Sequence, residues 1–283
     1  MKKYIYIILA VVIFNSCSDE LDLVAPSELT ASGFWDTEEG ARTAHTGMYA
    51  NLRGEFGDLW LLGEMRSDMW GGRTYESPAN VDLIESNITV ATAPFGGWAG
   101  LYTSIHRIND FLVNIPNVSF VNEGEKNHMI GQAYGLRALY YYTLLKTWGD
   151  VPARFEPINS ETIYLEKSSR DIIYKQIIQD LEEASTLVAW PNETSATTSV
   201  ERINKAFVKG FRARLAMVAS GYQQYPDGVR RSNDSELSVE KMYKLALDES
   251  RSVINSGMAH LEPSFEQFWR DYNGENITAG GES

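Results

Sequence analysis

The stretch LRALYYYTLLKTWGDVP, Leu136 to Pro152, decides how this chain folds. Leu136, Tyr140 and Leu144 recur every fourth residue and continue the stripe begun by Met129 and Ala133, the spacing of an amphipathic helix. Gly149 and Pro152 then end it: proline cannot donate the next backbone hydrogen bond, and glycine tolerates the turn that closes a helix. The pattern predicts a helix over about 123–147. Tyr140, Tyr141 and Tyr142 cannot share one face, since adjacent helical residues diverge by about 100°. At least one of the three rings must pack sideways or bind something. Arg137, like Arg107 upstream, sits among apolar neighbours and so calls for a buried or half-buried ion pair or a clamp of backbone carbonyls. Asp110 and Glu64 are candidate partners.

The same periodicity extends outward. Asp36 and Glu39 have capping-box spacing, and Ala41, Ala44, Met48 and Leu52 form one stripe, predicting a first helix over about 37–53. Trp98, Leu101, Tyr102, Ile105, Ile108, Leu112 and Ile115 make a second, stopped by Pro116. Further helices are predicted from Ser168 or Ser169 to before Pro191, over about 203–221, and over about 239–256 up to Gly257. The last three begin roughly 34 to 37 residues apart, the spacing of stacked helical hairpins, without a strict repeat. No strand-helix-strand rhythm appears, so the fold class is mainly all-α with long irregular loops. Residues 54–95, with Gly71 and Gly72 among Trp60, Trp70 and Tyr75, resist helical periodicity; a connection this long is usually functional, and its aromatic content argues against disorder. The segment 222–238 reads as a solvated surface loop.

Composition narrows the function. The 283 residues are 43% hydrophobic and 12% aromatic, ample for a packed core. A net charge of −13 leaves the folded part without the clustered cations that nucleic acid requires, so no nucleic-acid partner is expected. One cysteine excludes a disulfide framework and a cysteine-rich zinc site. That cysteine, Cys17, follows Lys2, Lys3 and the apolar run Tyr4 to Phe14, which is shorter than the roughly 20 residues of a membrane span. A charged start, a short apolar stretch and a small residue before the break describe a secretory leader over residues 1–16. The lone thiol then reads as the acylated first residue of a lipoprotein, followed by an acidic tether over 17–29. An ordinary leader with an incidental thiol is the alternative.

Enzyme signatures are missing. His45, His106, His128 and His260 never form a His-Glu-x-x-His arrangement, and neither a phosphate-cradling glycine loop nor a Gly-x-Ser-x-Gly elbow occurs. Asp180, Glu182 and Glu183 read as a solvated helix face rather than a catalytic pair. No metal site, cofactor or catalytic residue is expected.

With these strings in hand, a family resemblance emerges. LRALYYYTLLKTWGDVP resembles the most recognisable stretch of SusD/RagB outer-membrane nutrient-binding lipoproteins. SGFWDTEEGARTAHTGMYANL (32–52), GEMRSDMW (63–70), WAGLYTSIHRINDFLVNI (98–115) and RINKAFVKGFRARLAMVASGY (202–222) are similar to further family elements, in the family's order. Cys17-Ser18-Asp19-Glu20 resembles the acidic export signal of such lipoproteins. The resemblance implies a tetratricopeptide-like, SusD-like scaffold over residues 30–283, truncated before the C-terminal part of a longer chain. It also implies a cell-surface protein, lipid-anchored in the outer membrane, that captures oligosaccharide or another small nutrient. Such a protein would hand its ligand to a SusC-like TonB-dependent transporter without acting as an enzyme.

Sugar capture requires aromatic rings that stack on pyranose faces, each burying roughly 60 Å² for about 1.5 kcal/mol. Because millimolar affinity needs about −4 kcal/mol, two or more platforms with polar contacts are required, which favours oligosaccharides. The candidates in the glycine-flanked loop are Asp68, Trp70, Arg73 and Tyr75, with sealing of the core as the other role for Trp70. Trp98 is a further candidate, although its place in a helical stripe favours core packing. Two alternatives stand beside glycan capture: a transporter-lid module whose ligand contacts lie elsewhere, and an exported glycoside hydrolase lipoprotein.

Overall fold

The computed structural model describes residues 34–64, 97–199, 201–274 and 281. Cys17, Asp68, Trp70, Arg73 and Tyr75 lie outside the described residues. Among those described, the chain runs through α1 (Glu38–Glu64), α2 (Gly97–Asn114), α3 (Glu123–Trp148), α4 (Arg170–Leu187), α5 (Lys205–Ala219), α6 (Val239–Ser256) and α7 (Phe265–Asn273). A small antiparallel hairpin, β1 (Gln223–Tyr225) with β2 (Gly228–Arg230), lies between α5 and α6. Each helix from α1 to α6 packs on the next in chain order, giving the mainly all-α, helical-hairpin architecture that the periodicity predicts.

Helix ends follow from local chemistry. Asn122, Ser169, Asn204 and Ser264 each accept a first-turn backbone N–H into the side chain, satisfying a donor that the helix itself leaves open. Gly149 (φ 75°) ends α3 in backbone space that other residues rarely adopt. Tyr140 and Tyr141 are fully buried, and Tyr142 turns aside to meet Phe211 edge-on at 5.6 Å, so the three rings diverge as helix geometry demands. Gly131 lets α4 approach closely, since a Cβ there would stand 2.7 Å from Val188 Cγ1.

Several expectations change. The first helix continues to Glu64 rather than stopping near residue 53; glycines at Gly54, Gly57 and Gly63 cost about 1 kcal/mol each, too little to end a helix unaided. The segment 222–238 is not simply a solvated loop, because Tyr225 and Leu237 are buried. Two guanidiniums, Arg170 and Arg230, sit over the Tyr225 ring at 4.9 and 3.9 Å, and its hydroxyl donates to Asp171 Oδ1. The helix α7 was not foreseen, although Ser264 and Gln267 have capping spacing. Arg107 is exposed and donates to Asn51 Oδ1 at 3.0 Å.

Asp180 is the largest correction. It is 2% exposed, not solvated, and it takes both Nε and Nη2 of Arg137 at 2.7 and 2.8 Å. The helical stripe that hides it also carries Ile173, Ile177 and Leu181, so a carboxylate there survives only by facing a cation. Arg137 Nη1 donates to Asn109 Oδ1 and the Phe155 carbonyl, so the residue makes both the ion pair and the carbonyl clamp read from sequence, with Asp180 in place of Asp110 or Glu64. Glu182 is mostly exposed and meets Arg212, whose other contacts are Glu249 and the Ile178 carbonyl. Arg137→Ala should cost roughly 3–5 kcal/mol of unfolding free energy by leaving Asp180 buried without its partner. Arg137→Met combined with Asp180→Leu should recover most of that loss; urea denaturation of both variants measures it.

Candidate functional site

The turn after α3 builds a cleft, and each residue of Trp148 to Pro152 has a task in it. Trp148 meets the Trp98 indole of α2 edge-on, with centroids 5.3 Å apart. Gly149 clears Arg170, because a Cβ would lie 2.5 Å from its Nη2. Asp150 Oδ1 accepts from Arg170 Nε at 2.8 Å and from the Arg170 backbone N–H at 3.2 Å. Val151 and Ser168 form an antiparallel bridge, Ser168 N donating to Val151 O at 2.9 Å, so the segment between them is a loop closed at its base. The Pro152 carbonyl accepts the Tyr102 hydroxyl at 2.7 Å, fastening the loop to α2.

Further contacts hold this loop down. The Tyr141 hydroxyl donates to Arg154 O and accepts from Arg154 N, each at 2.6 Å, while Asn109 Nδ2 reaches the carbonyls of Arg154 and Glu156. Burial pushes the Tyr141 and Tyr102 hydroxyls above the ordinary tyrosine range, so both remain protonated donors at neutral pH. Arg154 itself turns back to the carbonyls of Thr162 and Ile163 and draws the loop tip inward. Asn159 accepts the Glu161 and Thr162 N–H groups, a side-chain turn that reverses the chain there.

Between the loop and α2 lies a cleft of about 660 Å³. Trp98, Tyr102 and His106 line it from α2, and Arg154, Tyr164 and Glu166 from the loop. Trp98 is 36% exposed and Tyr164 90% exposed, so the cleft presents two aromatic rings with cationic, anionic and imidazole groups beside them. Flat apolar surface with a few polar groups is the kind of lining that small-molecule sites carry. Among the described residues no group of histidine, cysteine, aspartate and glutamate could hold a metal ion.

Of the residues singled out from sequence, Trp98 is the one whose position is described. Its indole packs against Tyr102 and Trp148 yet keeps a third of its surface open, so it is a wall of the cleft and not interior packing. Sequence reading passed over Tyr164, Arg154, Glu166 and His106. An aromatic residue in the charged, helix-free run after Pro152 is the signal that was available for Tyr164.

The comparisons with known proteins agree with this architecture. A family model described as SusD-like, starch-binding and associating with the outer membrane, matches residues 21–217. The chain belongs to that SusD-like family. SusD-like protein P38 of Formosa agariphila is 25% identical over 233 residues, 79% of this chain and 44% of that protein. A SusD homolog of Bacteroides thetaiotaomicron superposes with TM-score 0.70 at 21% identity, over 86% of this chain and 45% of the other. Surface glycan-binding protein A of Bacteroides thetaiotaomicron, in complex with laminarihexaose, gives TM-score 0.60 at 20% identity over 81% of this chain and 45% of that one. The chain thus spans about half the length of the relatives it matches, and the structural likeness speaks for the fold.

Tyr141→Phe should free the Arg154 backbone from its two-way contact at a cost of about 1–3 kcal/mol. Hydrogen exchange should show the Arg154 amide exchanging faster in this variant, with protection of α4 unchanged.

Proposed function

We propose that this chain captures oligosaccharides or other small nutrients outside the cell and delivers them to a SusC-like TonB-dependent transporter, leaving the ligand chemically unchanged. One observation carries the reading: the exposed Trp98 and Tyr164 rings line one cleft with Arg154, Glu166 and His106 beside them. Two platforms of about 1.5 kcal/mol each, supplemented by hydrogen bonds to hydroxyls, bring affinity into the millimolar range or below. The laminarihexaose complex of a relative with this fold supports a glycan as the ligand class. The loop of Asp68, Trp70, Arg73 and Tyr75 would add further platforms. No nucleic acid, metal or cofactor enters this reading.

The anchoring part of the proposal rests on Cys17 as an acylated residue, with residues 1–16 removed and 17–29 as tether. Two or three acyl chains would hold the protein on an outer membrane with its helical region facing outward. A second reading has its own observation: Ile158, Ile163, Tyr164 and Leu165 present exposed apolar surface on a single loop, which suits docking against a partner protein such as the transporter.

Trp98→Ala and Tyr164→Ala should each weaken retention on polysaccharide affinity gels about tenfold, with helical circular dichroism unchanged. Full retention by both variants overturns the cleft assignment, and loss of transporter co-purification with unchanged glycan retention supports the docking reading. Labelled palmitate should be incorporated in the intact chain and not in Cys17→Ala.

A further inference from the structure

On the other side of the Trp148 turn lies a second cleft, of about 440 Å³. Tyr142, Lys146, Trp148, Arg170, Gln223 and Gln224 contribute to its lining, and no carboxylate does. The two clefts meet at one ridge: Trp98 lines the first, Trp148 lines the second, and the two indoles are in edge contact at 5.3 Å. Gly149 faces the second cleft and Pro152 the first, so the turn that fixes one also fixes the other.

Charge separates them. The first cleft holds Arg154 and Glu166, which balance. In the second, Arg170 is paired with Asp150, whereas Lys146 is exposed and has no ion pair among the described residues. Lys146 does occupy the last turn of α3, where a cation complements the helix dipole. The negative end of the dipole opposes an anion there, but the full ammonium charge exceeds the roughly half charge of the helix end, and no carboxylate among the described residues takes its donors. Lys146 thus brings an open ammonium to a cleft with no carboxylate in its lining, in a chain whose net charge is −13.

Resting on the glycan-capture reading, we infer that the ligand is an acidic oligosaccharide that crosses the Trp98–Trp148 ridge. Its neutral sugars stack in the first cleft, and a carboxylate or sulfate group lies against Lys146 in the second, within reach of the Gln223 and Gln224 amides. An ammonium and an anion form a charge-assisted hydrogen bond that falls off with added salt, so acid selectivity should fade as ionic strength rises.

The test uses the full chain and three immobilised probe sets: neutral β-glucan hexamers, uronic-acid hexamers and sulfated galactan hexamers. The expected result is tighter retention of one acidic set than of the neutral one. Lys146→Gln should reduce that retention about tenfold and flatten its salt dependence, Lys146→Arg should restore it, and weak neutral-glucan retention should not change. Loss of binding in Lys146→Gln that Lys146→Arg does not restore counts against the inference, as does preference for neutral hexamers. If neutral hexamers bind through Trp98 and Lys146→Gln has no effect, glycan capture stands and the acidic-ligand inference falls. If no probe is retained, both fall together. The two acidic sets tell carboxylate from sulfate.

Discussion

The Arg137 guanidinium lies between the Tyr134 and Phe155 rings, 5.3 Å from each, and directs its donors to Asp180, Asn109 and the Phe155 carbonyl. Through these contacts one side chain of α3 binds α4, α2 and the loop that follows α3. A charge buried to 5% exposure would be costly alone, and its planar fork is matched here by a carboxylate that is equally hidden. Each partner makes the other tolerable, so neither helix can take another register without stranding a charge. Gln176 completes the arrangement by donating to Asp180 Oδ1. Apolar replacement of such a pair as a whole is often neutral, whereas removal of one partner alone strands a buried charge.

The cleft inherits its shape from this constraint. Phe155 and Asn109 are fixed by Arg137, Asn109 in turn holds the Arg154 and Glu156 carbonyls, and the loop can then close at Val151 and Ser168. Two tyrosines and an asparagine pin this loop by bonding the carbonyls of Pro152, Arg154 and Glu156 inward, and its aromatic and apolar residues are left facing outward. Half-open Trp98 is held by its ring contacts with Tyr102 and Trp148, which lowers the ordering cost of stacking on a sugar, while the Tyr164 ring stands 90% exposed on the loop. The ion pair of Asp150 with Arg170 ties this loop to the start of α4, and Arg170 continues to Tyr225 of the hairpin, linking the two clefts mechanically.

Much of this was legible in the residues. Periodicity placed α2, α3 and α6 closely, because apolar stripes long enough to bury a face leave little choice of period. The Trp-Gly-Asp-Val-Pro turn was legible as a helix stop, since Gly149 and Pro152 act locally. The site was less so. Trp98 was named, but its helical stripe suggested burial, and only the position of Trp148 shows that the indole sits at the edge of the core. Tyr164 and Arg154 carry no local pattern, as their role depends on a loop whose path is set by contacts with residues up to 50 positions away.

From the sequence alone follow the mainly helical class, the capped helix ends, the divergence of Tyr140 to Tyr142 and the need of Arg137 for a buried partner. These rest on spacing along the chain and on the energetics of single groups, which neighbours in sequence already determine. Tertiary structure alone decided that the partner is Asp180 rather than Asp110 or Glu64, that Arg107 stays in water, and that two clefts share a tryptophan ridge. The physical reason is common to all three: whether a polar group is hidden, and what it faces, depends on which helix packs against its own, and packing joins residues that the sequence keeps far apart.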